Sequence, residues 1–234
     1  MLSSMLVSQS VEEILNRVDD NTVVTTTRYT ATMVISLAGK IREKTFFGYT
    51  EGKDRAYMEF TAPARDYGTR ILKLGDEMWI YLPAVEKATK IAGHMLRQGM
   101  MGSDFSYEDV AENRRLEDLY HAELLGTDTI GGRPCHKLRL TARVDEVTYA
   151  LRVVWIDSDE YIALKTELYA KSGKLMKEVT VSEFQNIGGH NYPTRVRMVN
   201  KLRQDTYTEL ILDDVHLDAP LPDRVFTRAH LERQ

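Results

Sequence analysis

Apolar and polar residues alternate with two different periods along this chain, and the change from one to the other organises it. Ser10 precedes Glu13 by three positions, a capping-box spacing, and Val11, Ile14, Leu15 and Val18 then recur at i, i+3, i+4 and i+7. The spacing predicts a helix from Val11 to Val18 with one apolar stripe. From Thr25 onward the period becomes two. Tyr29, Ala31, Met33, Ile35 and Leu37 alternate with Thr30, Thr32 and Ser36, interrupted only by Val34, which is the pattern of a strand with one buried face. Ala38-Gly39-Lys40 turns the chain into a second strand from Ile41 to Glu51, and Gly52 turns that into a third from Arg55 to Thr61. A meander of hairpins is expected.

Two more strands follow at Thr69 to Leu74 and Met78 to Leu82, the latter stopped by Pro83, and then a weaker one from Val85 to Ile91. The alternation lapses between Gly93 and Tyr120. It resumes at Ala122 to Ile130, Cys135 to Arg143, Thr148 to Ile156, Ala163 to Tyr169, Leu175 to Ile187, Tyr192 to Asn200 and Thr206 to Val215, with Gly131-Gly132 and Gly188-Gly189 among the turns. Pro220, Pro222 and Phe226 mark a loop that ends in a short helix. So many strands with no helices between them exclude a parallel α/β design. They predict a mainly β protein, one large curved antiparallel sheet of about eleven strands capped by short helices. The expected organisation is a tail or leader remnant over residues 1–9 and a single domain over 10–234, with an insertion at about 93–120.

Composition changes this picture little. With 43% hydrophobic and 28% charged residues the chain has enough apolar side chains for a core, which excludes disorder. A net charge of −4, with basic residues spread along the chain, leaves no footprint for nucleic acid. No apolar run is long enough for a membrane-spanning helix. The single cysteine, Cys135, offers neither a disulfide nor a zinc pair. No GxSxG, HExxH, Walker or GxGxxG motif is present, and the six histidines have no ligand spacing, so no catalytic residue, metal or cofactor is expected. Ser103, Asp104 and His94 lie close in sequence, but a triad is assembled by folding rather than by adjacency, and Ser103 or Asp104 reads better as the cap of a helix through Tyr107 to Val110.

The stretch from Gly68 to Val110 carries a resemblance. Gly68-Thr69-Arg70-Ile71-Leu72-Lys73 leads through Gly75-Asp76 to Trp79-Ile80-Tyr81-Leu82-Pro83, and after Lys87 and Lys90 come Met95 to Met101 and Gly102-Ser103-Asp104-Phe105-Ser106-Tyr107-Glu108-Asp109. Together with Gly131-Gly132-Arg133-Pro134-Cys135, Tyr192-Pro193-Thr194-Arg195 and Pro220-Leu221-Pro222-Asp223-Arg224-Val225-Phe226-Thr227, this succession resembles the outer-membrane lipoprotein-sorting family, the LolA-like carriers. The resemblance implies an unclosed half-barrel whose helices cover its mouth, a hydrophobic cavity and a periplasmic home, with the export leader absent from this sequence. It further implies a non-catalytic carrier that shelters acyl chains of lipoproteins or lipids, meeting an inner-membrane donor and an outer-membrane acceptor or exporter.

Candidate cavity residues on the alternating strands are Met33, Ile35, Phe47, Met58, Phe60, Met78, Ile80, Leu82 and Met198. Met95, Leu96, Met100, Met101 and Phe105, interspersed with Gly93, Gly99 and Gly102, form a candidate lid. Trp79 and Tyr81 point opposite to Ile80 and Leu82, and the pattern leaves open which pair faces the cavity. Three other readings remain at this level: an accessory protein that binds another hydrophobic molecule for an exporter, an interaction module whose concave face is filled by its own side chains, and an esterase using Ser103.

Overall fold

A computed structural model describes residues 9–222 and 224–233; the expected leader remnant lies outside this range apart from Gln9. The chain opens with α1 (Val11–Thr22), capped by the Ser10 side chain, which accepts from the Glu13 amide. Its stripe buries Ile14, Leu15 and Val18 and runs one turn past the expected end. The first hairpins are β1 (Thr26–Leu37), β2 (Lys40–Glu51), β3 (Arg55–Ala62), β4 (Arg70–Leu74), β5 (Glu77–Leu82) and β6 (Lys87–Ile91). The connection that follows holds two 3-10 turns (Gly93–Arg97 and Met100–Gly102), α2 (Tyr107–Ala111) and α3 (Leu116–Leu119). The second set comprises β7 (Tyr120–Ile130), β8 (Arg133–Ala142), β9 (Leu151–Asp157), β10 (Ala163–Tyr169), β11 (Leu175–Ile187), β12 (His190–Asn200) and β13 (Thr206–Leu217), and the chain ends in α4 (Arg228–Leu231).

Among the described residues all thirteen strands join one sheet in the order β6-β5-β4-β3-β2-β1-β13-β12-β11-β10-β9-β8-β7. Every neighbouring pair is antiparallel. β1 pairs with β13, which joins the two meanders at mid-sheet, and β6 and β7 stay as separate edges, so the sheet does not close. The described residues hold thirteen strands against about eleven expected, and the weak Val85 to Ile91 segment is among them, with Lys87–Ile91 paired to β5.

A sheet of this breadth twists and curls, and its concave face has to be covered. Two pieces of the chain cover it, and a third covers the other face. The connection between β6 and β7 lays Leu96, Met100, Met101, Tyr107 and Val110 over Ala31, Met33, Ile35, Phe46, Met58, Phe60, Ile71, Met78, Ile80 and Ile91. Helix α1, with Leu116 and Leu119, packs on Tyr120, Leu138, Leu140, Val154 and Ile156 at the other edge. On the opposite face, Val225, Phe226 and Leu231 of the tail sit against Tyr57, Leu72, Trp79 and Tyr81. This settles which way Trp79 and Tyr81 point: outward, under the tail.

Asp19 ties α1 to α3. It lies on α1, is 1% exposed, and accepts hydrogen bonds from the Leu116 (2.9 Å) and Glu117 (3.1 Å) amides at the start of α3. Burial outweighs these bonds and the nearby Arg115 charge, and its pKa is pushed up to about 6. A carboxyl raised in the folded state contributes stability that is complete below the ordinary carboxylate range and is lost as the pH climbs through about 6. Urea midpoints measured from pH 4 to 7 for the protein and for Asp19→Asn should therefore diverge: the parent loses stability relative to the variant across that window. Parallel profiles would remove the assignment.

Candidate functional site

The segment that fills one half of the concavity is held by its backbone geometry and by buried polar pins. Gly99 pairs with Ser106 in an isolated bridge, and the Met100 amide donates to the Phe105 carbonyl at 2.7 Å, so residues 99–106 form a tight loop. A Cβ on Gly99 would lie 2.2 Å from the Ser103 carbonyl oxygen, and Gly102 has φ +85°. These glycines are there because of close backbone approach and left-handed conformation. Within the loop Asp104 is 3% exposed and accepts from the hydroxyls of Thr206 (2.7 Å) and Thr208 (2.9 Å) on β13. Ser106 and Asp109 form the capping box of α2, in place of the cap expected from Ser103 or Asp104.

Asp109 makes the second pin. It pairs with Lys177 of β11 at 2.5 Å, accepts from the Tyr149 hydroxyl at 2.8 Å, and both charged side chains are nearly buried, at 7% and 10% exposure. The tyrosine phenol is pushed up by burial and by the adjacent Asp109 charge. The segment therefore spans the concavity: its methionines sit on β1 to β6 and its carboxylates reach β13 and β11.

Where this segment passes over β9 to β12, it leaves a hollow against the floor of the sheet. There Phe105, Tyr149, Arg152, Thr166, Leu168, Val179 and Met198 surround a hollow of about 250 Å³, with Glu108, Asp109, Glu112 and Thr148 on its upper side. It shares Glu108, Glu112 and Thr148 with a groove of about 860 Å³ that runs between the connection, the turns at Lys53-Asp54 and Gly75-Asp76, and the loop at 145–148. The groove walls carry Lys73, Arg97, Arg114, Asp54, Asp76, Glu77, Asp145 and Glu146, with Met78, Leu96 and Val147 as its apolar members. So the hollow under the covers is small and half apolar, and the wide space at the mouth is charged.

Of the predicted cavity residues, Met33, Ile35, Met58, Phe60, Met78 and Ile80 converge on one cluster under the connection, and Met198 lines the open hollow. Phe47 is a correction. It packs on the opposite face beside Tyr49 and Tyr57, because its neighbour Phe46 takes the inward position and successive strand side chains alternate. Leu82 is 38% exposed at the strand end, where the chain turns at Pro83. Among the lid candidates Met100 is fully buried, Leu96 and Met101 pack on the cluster, and Phe105 lines the hollow, whereas Met95 is 37% exposed and points away. The imagined hydrolase group does not assemble: Ser103 Oγ donates to the Phe105 carbonyl, Asp104 is occupied by two threonines, and no hydrogen bond joins either to His94 among the described residues. Sequence reasoning missed Arg152, Tyr149, Asp109 and Lys177. A charge inside Leu151-Arg152-Val153-Val154-Trp155 was the available signal for the first.

A family model described as an uncharacterized protein matches residues 52–233. The chain belongs to that family. No curated protein matches it in sequence. Among solved structures, a DUF1329 family protein from Desulfovibrio piger is 27% identical and superposes with a TM-score of 0.86, over 96% of this chain and 100% of that one. An outer membrane lipoprotein-sorting protein domain from Vibrio parahaemolyticus (23% identical, TM-score 0.82) and a LolA superfamily protein from Nitrosomonas europaea (23% identical, TM-score 0.79) match with the same coverage. The expected LolA-like architecture is thus the one that this family member adopts.

The Asp109 to Lys177 pair lends itself to a stability cycle. Removing one partner leaves a buried charge, so Lys177→Met should cost about 3 kcal/mol, and combining it with Asp109→Asn should cost clearly less than the two single losses added together. Chemical denaturation of the four proteins checks this; additive losses would mean that the pin is not coupled.

Proposed function

We propose that this protein is a periplasmic carrier that shelters acyl chains of lipids or lipoproteins in the concavity of its sheet and passes them on without chemistry. The supporting observation is the methionine-rich packing on the apolar concave face: Met33, Met58 and Met78 of the sheet and Met100 of the connection are all nearly or fully buried in one cluster. The protein is a carrier at rest, with its own chain standing where the cargo goes. The fold shared with a lipoprotein-sorting domain and a LolA superfamily protein supports the same reading.

The energetics are consistent with such an exchange. Uncovering Leu96, Met100 and Phe105 costs about 1.5 to 3 kcal/mol for each side chain, so about 5 to 9 kcal/mol together. An acyl chain entering the same space recovers about 0.8 kcal/mol for each methylene, and about ten methylenes offset the loss. Thioether side chains can repack around tails of different shape. The balance near zero suits a shuttle, which has to release what it takes up, and the direction of transfer then comes from its donor and acceptor. The groove at the mouth is charged and so is no place for a bare acyl chain; it is where the ligand's polar end or a partner protein meets the carrier.

Protein purified without detergent should yield, on organic extraction and mass spectrometry, acylated molecules in stoichiometric amount. Extracts free of any acyl or other apolar compound, together with failure to take up lipids from vesicles, would contradict the carrier reading and leave an interaction module with a filled concave face.

A further inference from the structure

The hollow over β9 to β12 carries a cation, and the company it keeps is selective. Arg152 sits on β9 within the hollow lined by Phe105, Leu168, Val179 and Met198. Its guanidinium stacks over the ring of Tyr120 at 4.8 Å and lies 5.9 Å from that of Tyr149, and its Nε donates to the Tyr120 hydroxyl at 2.9 Å. Its two terminal nitrogens make no hydrogen bond and no ion pair among the described residues. The carboxylates around it are otherwise engaged: Asp109 with Lys177, Glu112 with Arg114 through two contacts of 2.8 and 2.5 Å, and Glu108 with the Thr148 hydroxyl at 2.6 Å. Thr166 adds a hydroxyl to the same wall.

An arginine fixed by aromatic rings, with its planar fork free and an apolar floor beside it, matches an oxyanion on an aliphatic chain. We infer that the hollow at Arg152 is the polar-end subsite of the carrier and that the ligand is an anionic amphiphile, whose carboxylate or phosphate takes the free guanidinium face while its chain lies over Phe105, Leu168, Val179 and Met198. This inference rests on the carrier reading and narrows it: a neutral acylated terminus uses the apolar floor but leaves Arg152 unpaired. The hollow of about 250 Å³ has room for the polar end and the first part of a chain. The remainder of the chain extends under the connection as that is displaced.

The inference is tested by titrating the intact protein with dodecanoate, dodecyl phosphate and dodecanol, together with inorganic phosphate alone. Dodecanoate and dodecyl phosphate should each bind at least about tenfold more tightly than dodecanol, and Arg152→Met should abolish that preference. Arg152→Lys should retain part of it. Glu108→Gln, which removes a charge from the wall without touching the floor, should strengthen binding of both anions. The ratio between the two anions tells a carboxylate source from a phosphate source, and weak binding of inorganic phosphate shows that the chain contributes. If Arg152→Met does not fold, the preference of the parent and the opposite shifts of Arg152→Lys and Glu108→Gln still decide. Equal affinity for dodecanol and the anions, or an anion preference that survives Arg152→Met, overturns the subsite while the carrier stands. Absence of binding by all three alkyl ligands overturns both.

Discussion

A single antiparallel sheet of this width has one concave apolar face, and that face cannot be left in water. Everything else in the structure follows from how it is covered. A closed barrel would fill it with its own strands' side chains, but β6 and β7 remain apart, so the covering has to come from elsewhere in the chain. Helix α1 takes one edge and the connection between β6 and β7 takes the other. Where the connection passes over β9 to β12 it does not pack fully against the sheet, and the hollow that holds Arg152 is the consequence.

The two covers differ in kind. Helix α1 presents branched aliphatic residues, Ile14, Leu15 and Val18, and is joined to α3 by the buried Asp19. The connection presents methionines in 3-10 turns, with few of its backbone groups in regular ladders, and relies on two polar pins, Asp104 to β13 and Asp109 to β11. Polar pins specify position more than they add stability, since desolvating the charges offsets much of their attraction. A segment held in that way is well placed when closed and is the less costly of the two covers to move. This asymmetry is the physical basis for treating the connection, and not α1, as the part that yields to cargo.

Much of the fold was legible because strands that bury one face repeat with period two, and nearly every strand from β1 to β13 was anticipated within a few residues. The insertion was legible only as a lapse of that pattern. What it does depends on residues far apart in the chain, Asp104 with Thr208 and Asp109 with Lys177, and no local period reveals such pairs. The choice of face on β2 was not legible either. Phe46 and Phe47 are adjacent and both are apolar, because the tail residues Val225 and Leu231 cover the outside of the sheet just as the connection covers the inside. Arg152 was overlooked for a related reason: a lone charge in a strand usually faces solvent, whereas its spacing from Val154 and Ile156 puts this one on the covered face.

The account stands or falls on whether the connection gives way to ligand. Hydrogen exchange followed by mass spectrometry, with and without a saturating long-chain amphiphile, reads this directly. Peptides covering residues 99–111 should lose protection when ligand is bound, while β1, β2 and β13 keep or gain it. Bound ligand together with unchanged protection in that segment would contradict the account.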